Sequence, residues 1–112
     1  MNQEILEGNL VIVEFMGNQK KIYKDTPMIS YYNFNGSMYR LGQFKYHTSW
    51  DWLMKVVEKI ESLEYTEFTI SKRQTRIVHR GKDYYGESKN KITHVYNACV
   101  NFLEWYSQQV SK

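Results

Sequence analysis

A single cysteine, Cys99, excludes an internal disulfide and fits a reducing compartment. One proline, Pro27, and six scattered glycines leave no material for a low-complexity linker, and no internal repeat is visible. The chain has no run of roughly 18 apolar residues, which excludes a membrane-spanning helix. Met1-Asn2-Gln3-Glu4 lacks the basic start and apolar stretch of a secretory leader, so a cytoplasmic protein is expected. Glycine-rich phosphate loops are missing as well. Gly81 and Gly86 lie five apart, but no Lys-Ser or Lys-Thr follows the second.

Aromatic residues, by contrast, are plentiful: they make up 16% of the 112 residues, ten of them tyrosines. Tyrosine buries a large ring while its hydroxyl stays wet, which suits half-buried sheets and binding surfaces alike. The length and ordinary globular composition fit a single domain spanning residues 1–112.

Leu6, Leu10, Val13 and Gly17 predict a helix over residues 3–16, although the β-branched run around Val11 also allows a strand. Residues 18–27 read as a polar loop. Tyr31–Phe34 and Ser37–Leu41 flank Asn35-Gly36, a dipeptide suited to the two positive φ angles of a type I′ turn. That turn would pair Tyr32 with Tyr39 and Phe34 with Ser37, giving one aromatic face. A second helix follows, capped by Thr48 or Ser49, with Asp51 in its first turn and an apolar stripe of Trp50, Leu53, Met54, Val57 and Ile60.

A second hairpin is expected from Thr66–Ser71 and Thr75–Arg80, then a polar loop over Gly81–Asn90. The last helix carries a stripe of Ile92, Val95, Tyr96, Cys99, Phe102, Leu103 and Tyr106. Helix and hairpin alternate in pairs, which predicts an α+β fold: an antiparallel sheet of about four strands, built from two hairpins and packed with two or three helices.

No catalytic, cofactor-binding or metal-binding constellation emerges. His47, His79 and His94 are 32 and 15 residues apart, and none pairs with a cysteine at zinc-site spacing. His47, just ahead of a helix, reads as a capping or surface residue. Cys99 could serve as a nucleophile with His47 or His79 as base, but its place on an apolar stripe reads as a small core residue. Glu58, Glu61 and Glu64 read as a solvated helix face with Lys55 and Lys59.

Charge distribution is more telling. Between Lys72 and Lys91, seven basic residues stand against two acidic ones, so this stretch carries +5 in a chain of net +3. Arg76, Val78 and Arg80 alternate along the expected strand, placing both arginines on one face. With Lys72, Arg73, Lys82, Tyr84 and Tyr85 they form the candidate contact surface. Such a surface can hold phosphates and stack bases, or dock on an acidic protein; a solvated hairpin whose charges block edge pairing is the plain alternative.

Three blocks carry a resemblance: Glu14-Phe15-Met16-Gly17, the run Tyr46-His47-Thr48-Ser49-Trp50-Asp51-Trp52-Leu53-Met54-Lys55-Val56-Val57-Glu58-Lys59-Ile60-Glu61, and Val95-Tyr96-Asn97-Ala98-Cys99-Val100 with Phe102, Trp105 and Tyr106. Together they resemble small phage and prophage proteins similar to the phage ABA sandwich domain, in which a sheet lies between helical layers. Those proteins often carry a proline where this chain has Lys55.

The resemblance implies a non-enzymatic accessory protein, without cofactor, acting in the host cytoplasm. It implies an inhibitor of a host defence machine, such as an anti-CRISPR protein acting on an RNA-guided nuclease or its guide RNA. The alternatives are a protein that binds phage RNA or DNA, a small structural or assembly factor, and an enzyme whose site is formed only in three dimensions.

Overall fold

A computed structural model describes residues 3–17, 20–22, 29–32, 38–40 and 44–110. The chain divides into two compact units, Met1–Phe44 and Lys45–Lys112. Three helices and antiparallel strands confirm the α+β class. The described strands number six, in two three-stranded sheets, rather than about four.

In the first unit, helix α1 spans Gln3–Phe15. The strand alternative for its β-branched run is not adopted. Gly17 ends the helix as expected: at φ +74° its N–H turns back to the Glu14 carbonyl. The buried Asn9 amide donates to the Phe44 carbonyl (3.3 Å). The loop expected over residues 18–27 contains a short strand, β1 (Lys20–Ile22), which pairs with β2 (Ile29–Tyr32).

Strand β2 in turn pairs with β3 (Met38–Arg40), and here the register differs from expectation. Tyr32 lies opposite Met38 and Tyr31 opposite Tyr39, one residue away from the pairing that a two-residue Asn35-Gly36 turn would set. An odd number of residues, 33–37, separates Tyr32 from Met38, so the two-residue turn does not set this register. A shift of one residue changes which side chains share a face, so the expected pairing of Tyr32 with Tyr39 fails. Asn35-Gly36, with the expected Phe34–Ser37 pair, lies outside the described residues.

The second unit holds helix α2 (Trp50–Glu61), strands β4 (Thr66–Ile70), β5 (Gln74–His79) and β6 (Lys82–Glu87), and helix α3 (Lys91–Val110). Ser49 takes the N-cap position of α2 with extended backbone, but its side chain makes no capping bond. The buried stripe is Leu53, Val56, Val57 and Ile60. Trp50 and Met54 were expected on it, yet they are 40% and 37% exposed. They lie on the flank of the helix, and Val56 takes the inward position.

Most of the α3 stripe is as expected: Val95, Tyr96, Cys99, Phe102 and Leu103 are buried. Its start is capped by Asn90, whose side-chain oxygen accepts the Thr93 N–H (3.3 Å). Lys82–Glu87 corrects the sequence-based expectation of a loop. The strand was illegible because Tyr84 and Gly86 alone turn inward among charged neighbours. It is held by its ladder to β5 and by α3.

Thr75, Ile77 and His79 of β5 share the inner face with Tyr84 and Gly86 of β6. Helix α3 lies across β5 and β6, while α2 meets β4 and α3. At Gly86 the helix comes so close that a Cβ would strike the His94 carbonyl oxygen and fall 2.5 Å from the Ala98 nitrogen. The opposite face, with Glu67, Thr69, Arg76, Asp83, Tyr85 and Glu87, is exposed. Within this unit helices therefore cover one face of the sheet, where the resemblance implies two.

Burial sets the expected mutational costs. Leu53→Ala should lower unfolding free energy by about 2–5 kcal/mol, and Met54→Ala by about 0.5 kcal/mol or less. Gly86→Ala should cost about 1–3 kcal/mol by forcing helix and strand apart. Chemical denaturation of the three variants checks the order.

Candidate functional site

Two tight turns fix the ends of the β4–β6 sheet. At one end Ser71 closes on Gln74 (N to O, 2.8 Å), leaving Lys72 and Arg73 as the two turn residues. At the other, His79 pairs with Lys82, and Arg80 and Gly81 form the turn at φ +51° and +83°. Two consecutive positive φ angles define a type I′ hairpin, whose preferred residues are Asn-Gly. Glycine meets that demand without strain; arginine does not.

The seven residues expected to form one basic surface therefore separate. Lys72 and Arg73 stand at one turn, and Arg80 and Lys82 at or beside the other. A six-residue strand lies between the turns, about 20 Å at the usual rise. That exceeds twice the roughly 8 Å screening length in physiological salt, so the two pairs do not sum into one field. Arg76 lies midway but is paired with Asp83 (3.0 Å), which also accepts from the Tyr85 hydroxyl (3.3 Å). Arg80 has left the strand and so does not share the face of Arg76. Tyr84 faces inward, its ring 5.3 Å from that of Phe102 and 5.5 Å from that of Trp105. Tyr85 is on the outer face.

Around Arg80 the structure assembles a site that the sequence did not announce. The Arg80 guanidinium sits 5.4 Å from the centre of the Tyr65 ring, and Tyr65 is 74% exposed. The Arg80 N–H donates to the Tyr65 carbonyl (3.0 Å). Tyr65 is itself at φ +60°, so the only two described non-glycine residues with positive φ are neighbours. Such backbone costs of order 1–2 kcal/mol per residue. Lys82 Nζ lies 5.5 Å from the centre of the Trp105 ring. A cleft of about 410 Å³ opens here, with Glu64, His79, Arg80, Trp105, Tyr106 and Gln109 in its wall. A shallower one of about 720 Å³ lies between Tyr65, Glu67, Val78 and Arg80.

His79 forms the floor of this end. It is 6% exposed, and its ring meets Phe102, Trp105 and Tyr106 at 5.4–6.1 Å. Its Nδ1 is 2.6 Å from the Thr66 hydroxyl. The same hydroxyl lies 3.3 Å from the Glu64 carbonyl. Burial, and then the Arg80 charge, hold the imidazole below its ordinary pKa.

The remaining titratable groups offer little chemistry. His94 is fully buried and engaged at both nitrogens: Nε2–H donates to the Lys72 carbonyl (3.1 Å), and Nδ1 accepts from the Thr75 hydroxyl (2.7 Å). His47 is half-buried with its ring 6.0 Å from Tyr96, and burial lowers its pKa. It does not cap α2. Cys99 is a core thiol whose pKa burial pushes up, which disfavours the nucleophilic thiolate. Among the described residues no group of three or more His, Cys, Asp or Glu could hold a metal ion. The arrangement around Arg80 suits recognition of an anion next to a flat ring.

The comparisons with known proteins add nothing to this geometry: no protein-family model, curated protein or solved structure matches the chain. Among the described residues no helix is long and apolar enough to cross a membrane. Tyr65 and Trp105 are the residues that sequence reasoning passed over. Trp105 stood in a quoted block, but its role depends on β6, which read as a loop. Nothing in the sequence marks the positive φ of Tyr65.

Two histidines held below their ordinary value near 6.5 make stability depend on pH. The unfolded chain binds protons that the folded chain resists. Their contribution is thus complete above about pH 6.5 and is lost as pH falls through the lowered folded values. Thermal unfolding should shift to lower temperature between about pH 7 and 5. His79→Phe, which keeps the ring packing, should flatten that slope.

Proposed function

We propose that this protein works by binding rather than by catalysis, and that its working surface is the Tyr65–Arg80–Lys82–Trp105 end of the sheet. One observation carries this: backbone strain and exposed cation–aromatic pairs coincide at the same place. Tyr65 and Arg80 occupy left-handed backbone that Asn or Gly would fill with less strain, and each presents its side chain to solvent. Strain held at an exposed position points to a function for the side chains kept there.

The proposed partner is a host defence ribonucleoprotein, an RNA-guided nuclease with its guide RNA, and the proposed effect is inhibition. The resemblance to phage accessory proteins supports the choice of partner. The chemistry of the site supports the mode: guanidinium and ammonium groups answer phosphates, and the neighbouring rings stack on bases or on exposed side chains. A protein that binds phage RNA or DNA is the second reading, and the same cation–aromatic pairs favour it.

Charge reversal at the two ends of the sheet is the test. Arg80→Glu/Lys82→Glu should abolish inhibition of RNA-guided cleavage and weaken binding by about a hundredfold or more, as two attractions become repulsions. Lys72→Glu/Arg73→Glu at the far end should change binding by about threefold or less. If the two double variants behave alike, the site is misplaced. Affinity for RNA alone, measured against salt, separates the readings: a steep fall marks phosphate contacts, whereas a shaped protein interface is less affected.

A further inference from the structure

The two edges of the β4–β6 sheet are treated differently. At β6 the Tyr85 carbonyl is taken by the Asn101 side chain (2.8 Å), so helix α3 guards that edge. At β4, among the described residues, no strand is paired on the side away from β5. The Ser71–Gln74 and Tyr65–Arg80 bonds fix the ladder phase: Tyr65, Glu67, Thr69 and Ser71 point their backbone groups toward β5. Thr66, Phe68 and Ile70 therefore point theirs outward. The strand has neither lysine nor proline to discourage pairing, its one charge is Glu67, and its sequence Thr-Glu-Phe-Thr-Ile favours strands.

We propose that β4 pairs antiparallel with β4 of a second copy, about a two-fold axis through Phe68, joining two three-stranded sheets into one of six. This register alone engages all three outward residues: Phe68 meets its own counterpart, and Thr66 meets Ile70 of the second copy. It sets Glu67 opposite Thr69 instead of opposite another glutamate, as a two-residue shift toward the strand start would do. It also brings Glu64 to the end where Lys72 of the second copy lies. The pattern is thus self-complementary in hydrogen bonding and in charge, which is what an isologous contact requires. The proposal does not rest on the Arg80 site, which adjoins the start of β4 at Tyr65.

Thr69 and Glu67 are exposed on the outer face, so substitutions there spare the fold. Sedimentation of the full chain over a range of concentrations should show a monomer–dimer equilibrium. Thr69→Glu places carboxylates opposite each other twice and should weaken the dimer about tenfold; Thr69→Lys should tighten it severalfold. Glu67→Cys/Thr69→Cys should form a covalent dimer on oxidation, because a non-hydrogen-bonded pair sets Cα atoms about 4.5 Å apart. Glu67→Cys alone should not, since it faces Thr69, and the native Cys99 is buried. A monomer at every concentration overturns the proposal. So does a dimer that ignores both Thr69 changes, or one in which the single and double cysteine variants cross-link equally.

Discussion

The close approach of α3 to β6 is the constraint on which the rest of the Lys45–Lys112 unit depends. Gly86 leaves room for the helix backbone itself, at the His94 carbonyl and the Ala98 nitrogen. Once the helix is seated there, His94 enters the core and joins three pieces of chain: its own helix, Thr75 on β5 and the Lys72 carbonyl at the turn. Removing either ring partner would leave a buried polar group unsatisfied, at a cost of about 1–3 kcal/mol. The bridge therefore fixes the near end of the sheet and leaves the far end to be shaped by aromatic packing.

That packing leads directly to the candidate site. Two turns along α3 from His94, Phe102 meets His79 and Tyr84, and Trp105 follows beside Lys82. The inner face is thus filled by rings that grow more exposed toward the Arg80–Gly81 turn. Arg80 lies at the boundary between the core and solvent, in backbone that disfavours it, against the exposed Tyr65 ring. A core histidine that resists protonation beneath a cationic turn is the electrostatic signature of this end.

Much of this fold could be read from the sequence where apolar periodicity was strong. The α3 stripe from Val95 to Leu103 and the Gly17 stop stand as expected, and β4 and β5 fall within one residue of their expected bounds. What failed depended on tertiary context. Lys82–Glu87 is a strand because β5 and α3 hold it, while its own residues offer one inward tyrosine and a glycine. Trp50 and Met54 fit the helical period of the apolar stripe but lie on its flank. For the site, the basic residues were visible, but their grouping was not. One face was expected from strand alternation, and the type I′ turn at Arg80–Gly81 ended the strand one residue too soon for it.

The proposal that Arg80 is held in strained backbone for what its side chain does is tested most directly by Arg80→Asn. Asparagine suits the first position of a type I′ turn and cannot replace the guanidinium. Unfolding free energy and affinity for the proposed nuclease partner are measured on the same preparation. The variant should be more stable by about 0.5–1 kcal/mol and should bind and inhibit markedly less well. A variant that gains stability and keeps full binding would contradict the account.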